Sequence, residues 1–235
     1  SDYASYSQVA LNDLAMKDAS IEQPVDSLYV NDSQLFNSNN SYIADIIQTG
    51  KIIHWDIDKM PLKVYISPSK YPEYNKFVWD AFNDWASLSR GIVFFVKTDL
   101  EEEANIIVKW GDRFEDDRDD DLFGYSVPLI EGSNLLNYTI YLLNKDYNGE
   151  ILLPNYIYTN ALHQIGHSLG INAHSSNAED LMHVNGNYGE LSRRDIATLN
   201  ILYQMKPDFS NFIDIAPVEK KEEVKKPDKE VQKTE

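Results

Sequence analysis

The chain has 235 residues, 43% hydrophobic and 12% aromatic, which is enough for a sizeable core in one domain or in one domain with a small subdomain. Its formal net charge of −17 argues against the basic stripes of a nucleic-acid partner, and no apolar run approaches the ~20 residues of a membrane helix. Cysteine is absent, which excludes a thiol nucleophile and any Cys-ligated metal and leaves the redox compartment open.

Residues 1–50 are rich in Ser, Asn, Asp and Tyr and have weak periodicity, with Val9–Met16 and Tyr42–Ile47 as short helical turns. They read as an N-terminal extension, either a structural leader or a pro-segment that shields a cleft. A main domain is expected over 51–212. Leu62–Ile66 alternates apolar and polar residues, the pattern of a half-buried strand. In Tyr74–Leu88 the residues Phe77, Val78, Ala81, Phe82, Trp85 and Leu88 recur at helical spacing, and Gly91 follows. Ile92–Val96 and Ala104–Trp110 read as strands. Glu115–Asp121 is a dense acidic run, either a solvated loop or a Ca²⁺ loop of carboxylate oxygens, without the glycine spacing of an EF-hand. Gly124–Leu129 and Tyr138–Leu143 read as further strands, and Leu153–Leu169 as a longer helix. The final helix spans Ser192–Tyr203, with Ser192 as N-cap and Asp195 at the third helical position in a capping box. Residues 213–235 form a Lys/Glu-rich tail that reads as disordered.

The chemistry is concentrated in Ala161-Leu-His-Gln-Ile-Gly-His-Ser-Leu-Gly-Ile-Asn-Ala-His174. His163 and His167 are four apart, so a helix carries both imidazoles on one face, one turn apart. Gly170 is suited to a φ > 0 turn that ends the helix, after which His174 can return as a third ligand. Three imidazole nitrogens with a fourth position open make up a catalytic zinc site rather than a closed structural one. Two His at this spacing are common as ordinary surface or core residues. Three with a Gly are not, and only five His exist in the chain.

This pattern, H-Q-x-x-H-x-x-G-x-x-H, resembles the H-E-x-x-H-x-x-G-x-x-H signature of metzincin metalloproteases, with Gln164 in the place of the catalytic Glu. Glu179-Asp180-Leu181-Met182 falls where the family has its Met-turn, and Leu191–Tyr203 resembles the closing helix of matrixins. Val184, two places after Met182, favours the matrixin-like branch over those with a Tyr there. The likeness covers about residues 52–205 and is loose upstream of the zinc motif. It implies an α+β fold, in which a mixed, twisted sheet of four or five strands packs on two long helices and zinc lies in a cleft above a small C-terminal subdomain.

The resemblance further implies a secreted or cell-surface zinc endopeptidase acting on protein or peptide substrates, with His163, His167 and His174 as ligands and Met182 as the floor of the site. A monomer is expected. Gly124, Tyr125 and Tyr188 are the candidate substrate-binding residues, with Gly124–Leu129 as the edge strand that pairs with a peptide. The absence of His between Trp110 and Leu162 implies that the second, structural zinc of many matrixins is missing, and the lack of Cys rules out the family's cysteine latency switch. Gln cannot carry the proton that the Glu carries, so zinc affinity is expected to survive and turnover to be lost. Either Gln164 replaces a natural Glu, which the otherwise intact motif favours, or the chain is a natural pseudoprotease that binds peptides or acts in adhesion. A Ca²⁺-binding module built on Glu115–Asp121 is the third reading.

Overall fold

The computed structural model describes residues 40–113, 123–185 and 189–209. Val9–Met16, the acidic run, Tyr188 and the tail 213–235 lie outside these. The described part is α+β, with a mixed five-stranded sheet. In chain order come α1 (Ile43–Gln48), β1 (Leu62–Ile66), α2 (Tyr74–Leu88), β2 (Phe95–Lys97), β3 (Ile106–Gly111), β4 (Gly124–Glu131), β5 (Asn134–Leu143), α3 (Pro154–Ser168) and α4 (Arg193–Leu202). The sheet order is β2-β1-β3-β5-β4. All neighbours run parallel except β4, which pairs antiparallel with β5 and forms one edge.

Local chemistry explains most of the boundaries. In β1, Leu62 and Val64 point into the core, as the alternation predicts. α2 buries Val78, Ala81, Phe82 and Trp85 along one stripe. Val78 and Phe82 each contribute about 1.5–3 kcal/mol on burial. α3 starts at Pro154, whose fixed φ suits the first turn. The capping box of α4 is present in both directions, between Ser192 and Asp195.

Four strands differ in their bounds from the sequence reading. The strand expected at Ile92–Val96 is β2 at Phe95–Lys97. Arg90 and Gly91 both have positive φ, Val93 drops into the core, and pairing begins only where Phe95 comes level with Leu62. β3 begins at Ile106 rather than Ala104, because Ala104 caps a 3₁₀ turn over Glu101–Glu103. β4 and β5 are longer than expected and form a continuous hairpin, with Glu131 paired to Asn134 across Gly132 (φ 59°) and Ser133. A two-residue turn with a left-handed Gly suits the strand twist.

α2 and α3 pack against one another, with Trp85 Nε1 donating to Leu162 O at 2.9 Å. α3 also packs against β4 and β5, which brings the His-bearing helix under the sheet edge. Within the N-terminal extension, residues 41–46 belong to the packed interior. Tyr42, Ile43 and Ile46 are buried, and Tyr42 N–H donates to Thr198 Oγ1 on α4 at 3.0 Å. Among the described residues, no helix is long and apolar enough to cross a membrane.

Candidate metal centre

α3 puts His163 and His167 one turn apart, as the spacing requires, and the helix then ends at a sharp turn. Gly170 has φ 109°, and a Cβ there would collide with Ile53 O and lie 2.8 Å from His54 Cβ. Position 170 is therefore closed to any side chain on both counts. Gly170→Ala is expected to cost about 2–4 kcal/mol, measured by urea unfolding. An unchanged midpoint would show that the turn can relax. After the turn, Ser175 N–H donates to Met182 O at 2.8 Å, which ties the returning chain beside His174 to the 181–182 turn.

The three imidazoles converge. His163, His167 and His174 each offer a nitrogen, and these atoms all lie within 4.8 Å of one another. Nε2 of His163 is 3.0 Å from Nε2 of His167 and 3.3 Å from Nε2 of His174. Ligands about 2.0–2.1 Å from a tetrahedral ion are separated by about 3.3–3.4 Å, so the spacing is that of nitrogens sharing one ion. Protonation agrees. His163 Nδ1 lies 2.9 Å from Leu181 O and His167 Nδ1 lies 2.6 Å from Ile171 O. A carbonyl oxygen only accepts, so each of these two Nδ1 atoms donates, which leaves Nε2 as the atom that each ring turns toward the other imidazoles. The group could therefore bind a metal ion. His163 is fully buried, and His167 and His174 are half-buried, so the centre is reachable from one side.

Met182, expected as the floor of the site, is fully buried, and its sulfur lies against Gly166 on the helix that carries His163 and His167. The network that holds this turn is built on Asp195. Its carboxylate accepts from the backbone N–H groups of Leu181 (2.9 Å), Met182 (3.3 Å) and Ser192 (2.8 Å) and from the Tyr42 hydroxyl (2.7 Å). Burial first, and then the Asp195 charge, push the Tyr42 phenol well above its ordinary value, so it remains a donor. A second buried carboxylate, Asp180, accepts from Ser175 Oγ, from Ser192 Oγ and from Arg194 Nε at 2.8 Å. Asp195 thus holds the segment whose Leu181 carbonyl orients His163. The capping box was legible in the sequence. This second role of Asp195, and the part of Tyr42, were not, because their partners lie 13 to 153 residues away.

Gln164 is fully buried, and its Nε2 donates to Gly124 O at 3.1 Å. The helix and the start of edge strand β4 therefore meet at this side chain. Tyr125, next along β4, stacks on its cross-strand partner Tyr141 with centroids 4.6 Å apart. Of the predicted residues, His163, Gln164, His167, His174, Met182 and Gly124 come together directly. Tyr125 flanks them, and Tyr188 lies outside the described residues. Val184 is exposed. His54 takes no part in the centre; its ring nitrogens lie 2.9 Å from Trp55 O and 3.0 Å from Met205 O, and burial lowers its pKa. A cavity of about 640 Å³ opens beside His54, lined also by Asp56, Lys59, Asp208 and Phe209; no member of the triad lines it. No family model and no curated protein matches the chain.

Metal binding to a site that exists only in the folded chain stabilises it. At 100 times the dissociation constant the gain is about 2.7 kcal/mol, or roughly 5–10 °C in Tm for a chain of this size. Addition of Zn²⁺ is expected to raise Tm by that amount and a chelator to reverse it. His167→Ala should abolish the shift, and a shift retained in that variant would place the ion elsewhere.

Proposed function

We propose that the chain is a zinc endopeptidase of the metzincin, matrixin-like kind, exported from the cytoplasm, and that Gln164 silences its turnover. The observation that carries this reading is the convergence of three Nε2 atoms from a helix and a returning loop, with two of the rings locked by carbonyls through Nδ1. Three imidazoles suit zinc among the borderline cations and leave a fourth tetrahedral position open. Bound there, zinc would lower the pKa of a water toward ~7 and polarise a peptide carbonyl.

The remaining steps fall to the chain. His163, His167 and His174 hold the ion, and Met182 closes the apolar floor. Among the described residues β4, which begins at Gly124 and Tyr125, is an edge strand of the sheet, and this supports an extended substrate docking as an added strand. A Glu at 164 would take a proton from the water and pass it to the leaving amine. Gln164 can orient the water by hydrogen bonding but cannot carry the proton near neutral pH. The decisive test is chelator-sensitive peptide hydrolysis by Gln164→Glu, with zinc content measured alongside.

One observation favours a second reading, a pseudoprotease that keeps zinc and holds peptides without cutting them. The Gln164 amide donates to Gly124 O, a bond that an ionised Glu cannot make. Zinc retained with no hydrolysis in Gln164→Glu would select this reading.

A further inference from the structure

The side chain at 164 has a second polar neighbour. Asn160 lies one turn earlier on α3, so the two side chains stand on one face with Cβ atoms about 5–6 Å apart. Asn160 is 2% exposed, and neither its Oδ1 nor its Nδ2 has a hydrogen-bond partner. Gln164 is 0% exposed; its Nε2 is satisfied by Gly124, but its Oε1 is not paired. A Cβ on Gly124 would lie 3.0 Å from both Asn160 Oδ1 and Asn160 Nδ2. Both amides therefore bear on the first residue of the edge strand.

Packing alone gives no reason for an amide at position 160. A Leu of similar size would fill the space without desolvating two donors and an acceptor. The orphaned groups are complementary, since Asn160 Nδ2 can only donate and Gln164 Oε1 can only accept. We propose that Asn160 is a positioning residue for the side chain at 164, with Nδ2 reaching Oε1 through one enclosed water or after a small rotation of the two side chains, since the structure shows no direct bond between them. The 164 amide is then fixed at both ends, Nε2 on Gly124 O and Oε1 on Asn160, and cannot flip. Gly124 belongs to the device because any Cβ there would push the Asn160 amide away. Toward a Glu at 164, the same donor would hold one carboxylate oxygen and fix the orientation of the side chain. That last consequence rests on the proposed function, whereas the pairing itself does not.

The pairing is tested on the chain as it stands by NMR. Side-chain amide exchange at Gln164 is compared with that in Asn160→Leu, and zinc binding is measured in both. The expected result is exchange faster by about tenfold or more in the variant, a lower Tm and unchanged zinc stoichiometry. Unchanged exchange with an equal or higher Tm would overturn the pairing and leave Asn160 an isolated buried amide. If Asn160→Leu does not fold, Asn160→Ser removes the reach of the amide in a smaller polar side chain and is read in the same way. A second arm uses the Gln164→Glu background. There, Asn160→Leu is expected to lower kcat by about tenfold or more with KM unchanged. An unchanged kcat would overturn the positioning role. If Gln164→Glu hydrolyses nothing, the proposed function fails, and the exchange measurement still decides the pairing.

Discussion

Gln164→Glu is expected to raise zinc-dependent peptide hydrolysis by about 10²–10⁴-fold, the range of a general acid–base contribution. On the proposed function the His triad, Met182 and edge strand β4 supply everything except a proton carrier, which this exchange of one amide nitrogen for oxygen would add. The geometry also predicts a cost. Gln164 Nε2 donates to Gly124 O at 3.1 Å, and a carboxylate at that position sets oxygen against oxygen. The metal-free Glu form should therefore be less stable than the parent by about 1–3 kcal/mol, the penalty for a lost bond and a poorly paired buried group. Zinc should recover part of that loss by favouring the charged carboxylate nearby. Activity assays with a chelator and with His167→Ala in the Glu background separate this from a contaminating protease, since both must abolish the gain. Zinc bound at about one ion per chain with no such gain would remove the peptidase reading and leave a peptide-holding module.

The second large effect is expected at Asp195, a residue that does not touch the metal. Asp195→Ala strands four donors at once, the N–H groups of Leu181, Met182 and Ser192 and the Tyr42 hydroxyl, all around a fully buried position. A loss of about 3–5 kcal/mol is expected, a large share of the ~5–15 kcal/mol that holds a domain together. Zinc affinity should fall by about 10–100-fold as well, because Leu181 O is the partner that orients His163. Ser192→Ala is the control. It removes the cap hydroxyl and one hydrogen bond to the buried Asp180 while leaving the Asp195 contacts to the 181–182 turn, and should cost about 1–3 kcal/mol. Equal effects of the two variants on zinc affinity would show that Asp195 acts only as a helix cap.

Features decided within a few residues were legible in the sequence. The spacing of His163 and His167 on a helix, the turn at Gly170, the return to His174 and the capping box of Ser192 with Asp195 each depend on geometry closed inside about one to three turns. Hydrophobic period alone sufficed for Tyr74–Leu88 and Leu62–Ile66, where the observed bounds coincide with the expected ones. It failed at Ile92–Val96, because an apolar run does not say which of its residues will reach a neighbouring strand and which will drop into the core.

The tertiary structure alone decided which distant groups meet at those local features. Tyr42 reaches Asp195 across 153 positions and Gln164 reaches Gly124 across 40. The Leu181 carbonyl fixes the proton of His163 only because the turn after His174 folds back under α3. An Asn at position 160 looks in the sequence like any polar residue on a helix. It stands beside Gln164 because α3 packs that face under the start of β4, where Gly124 leaves room for a buried amide. The sequence by itself therefore determined the His163, His167 and His174 group that could hold a metal ion, whose parts are neighbours along the chain. Packing determined how that triad is oriented and what stands beside it, because hydrogen-bond partners of buried groups are selected by proximity in space, on which sequence separation places no limit.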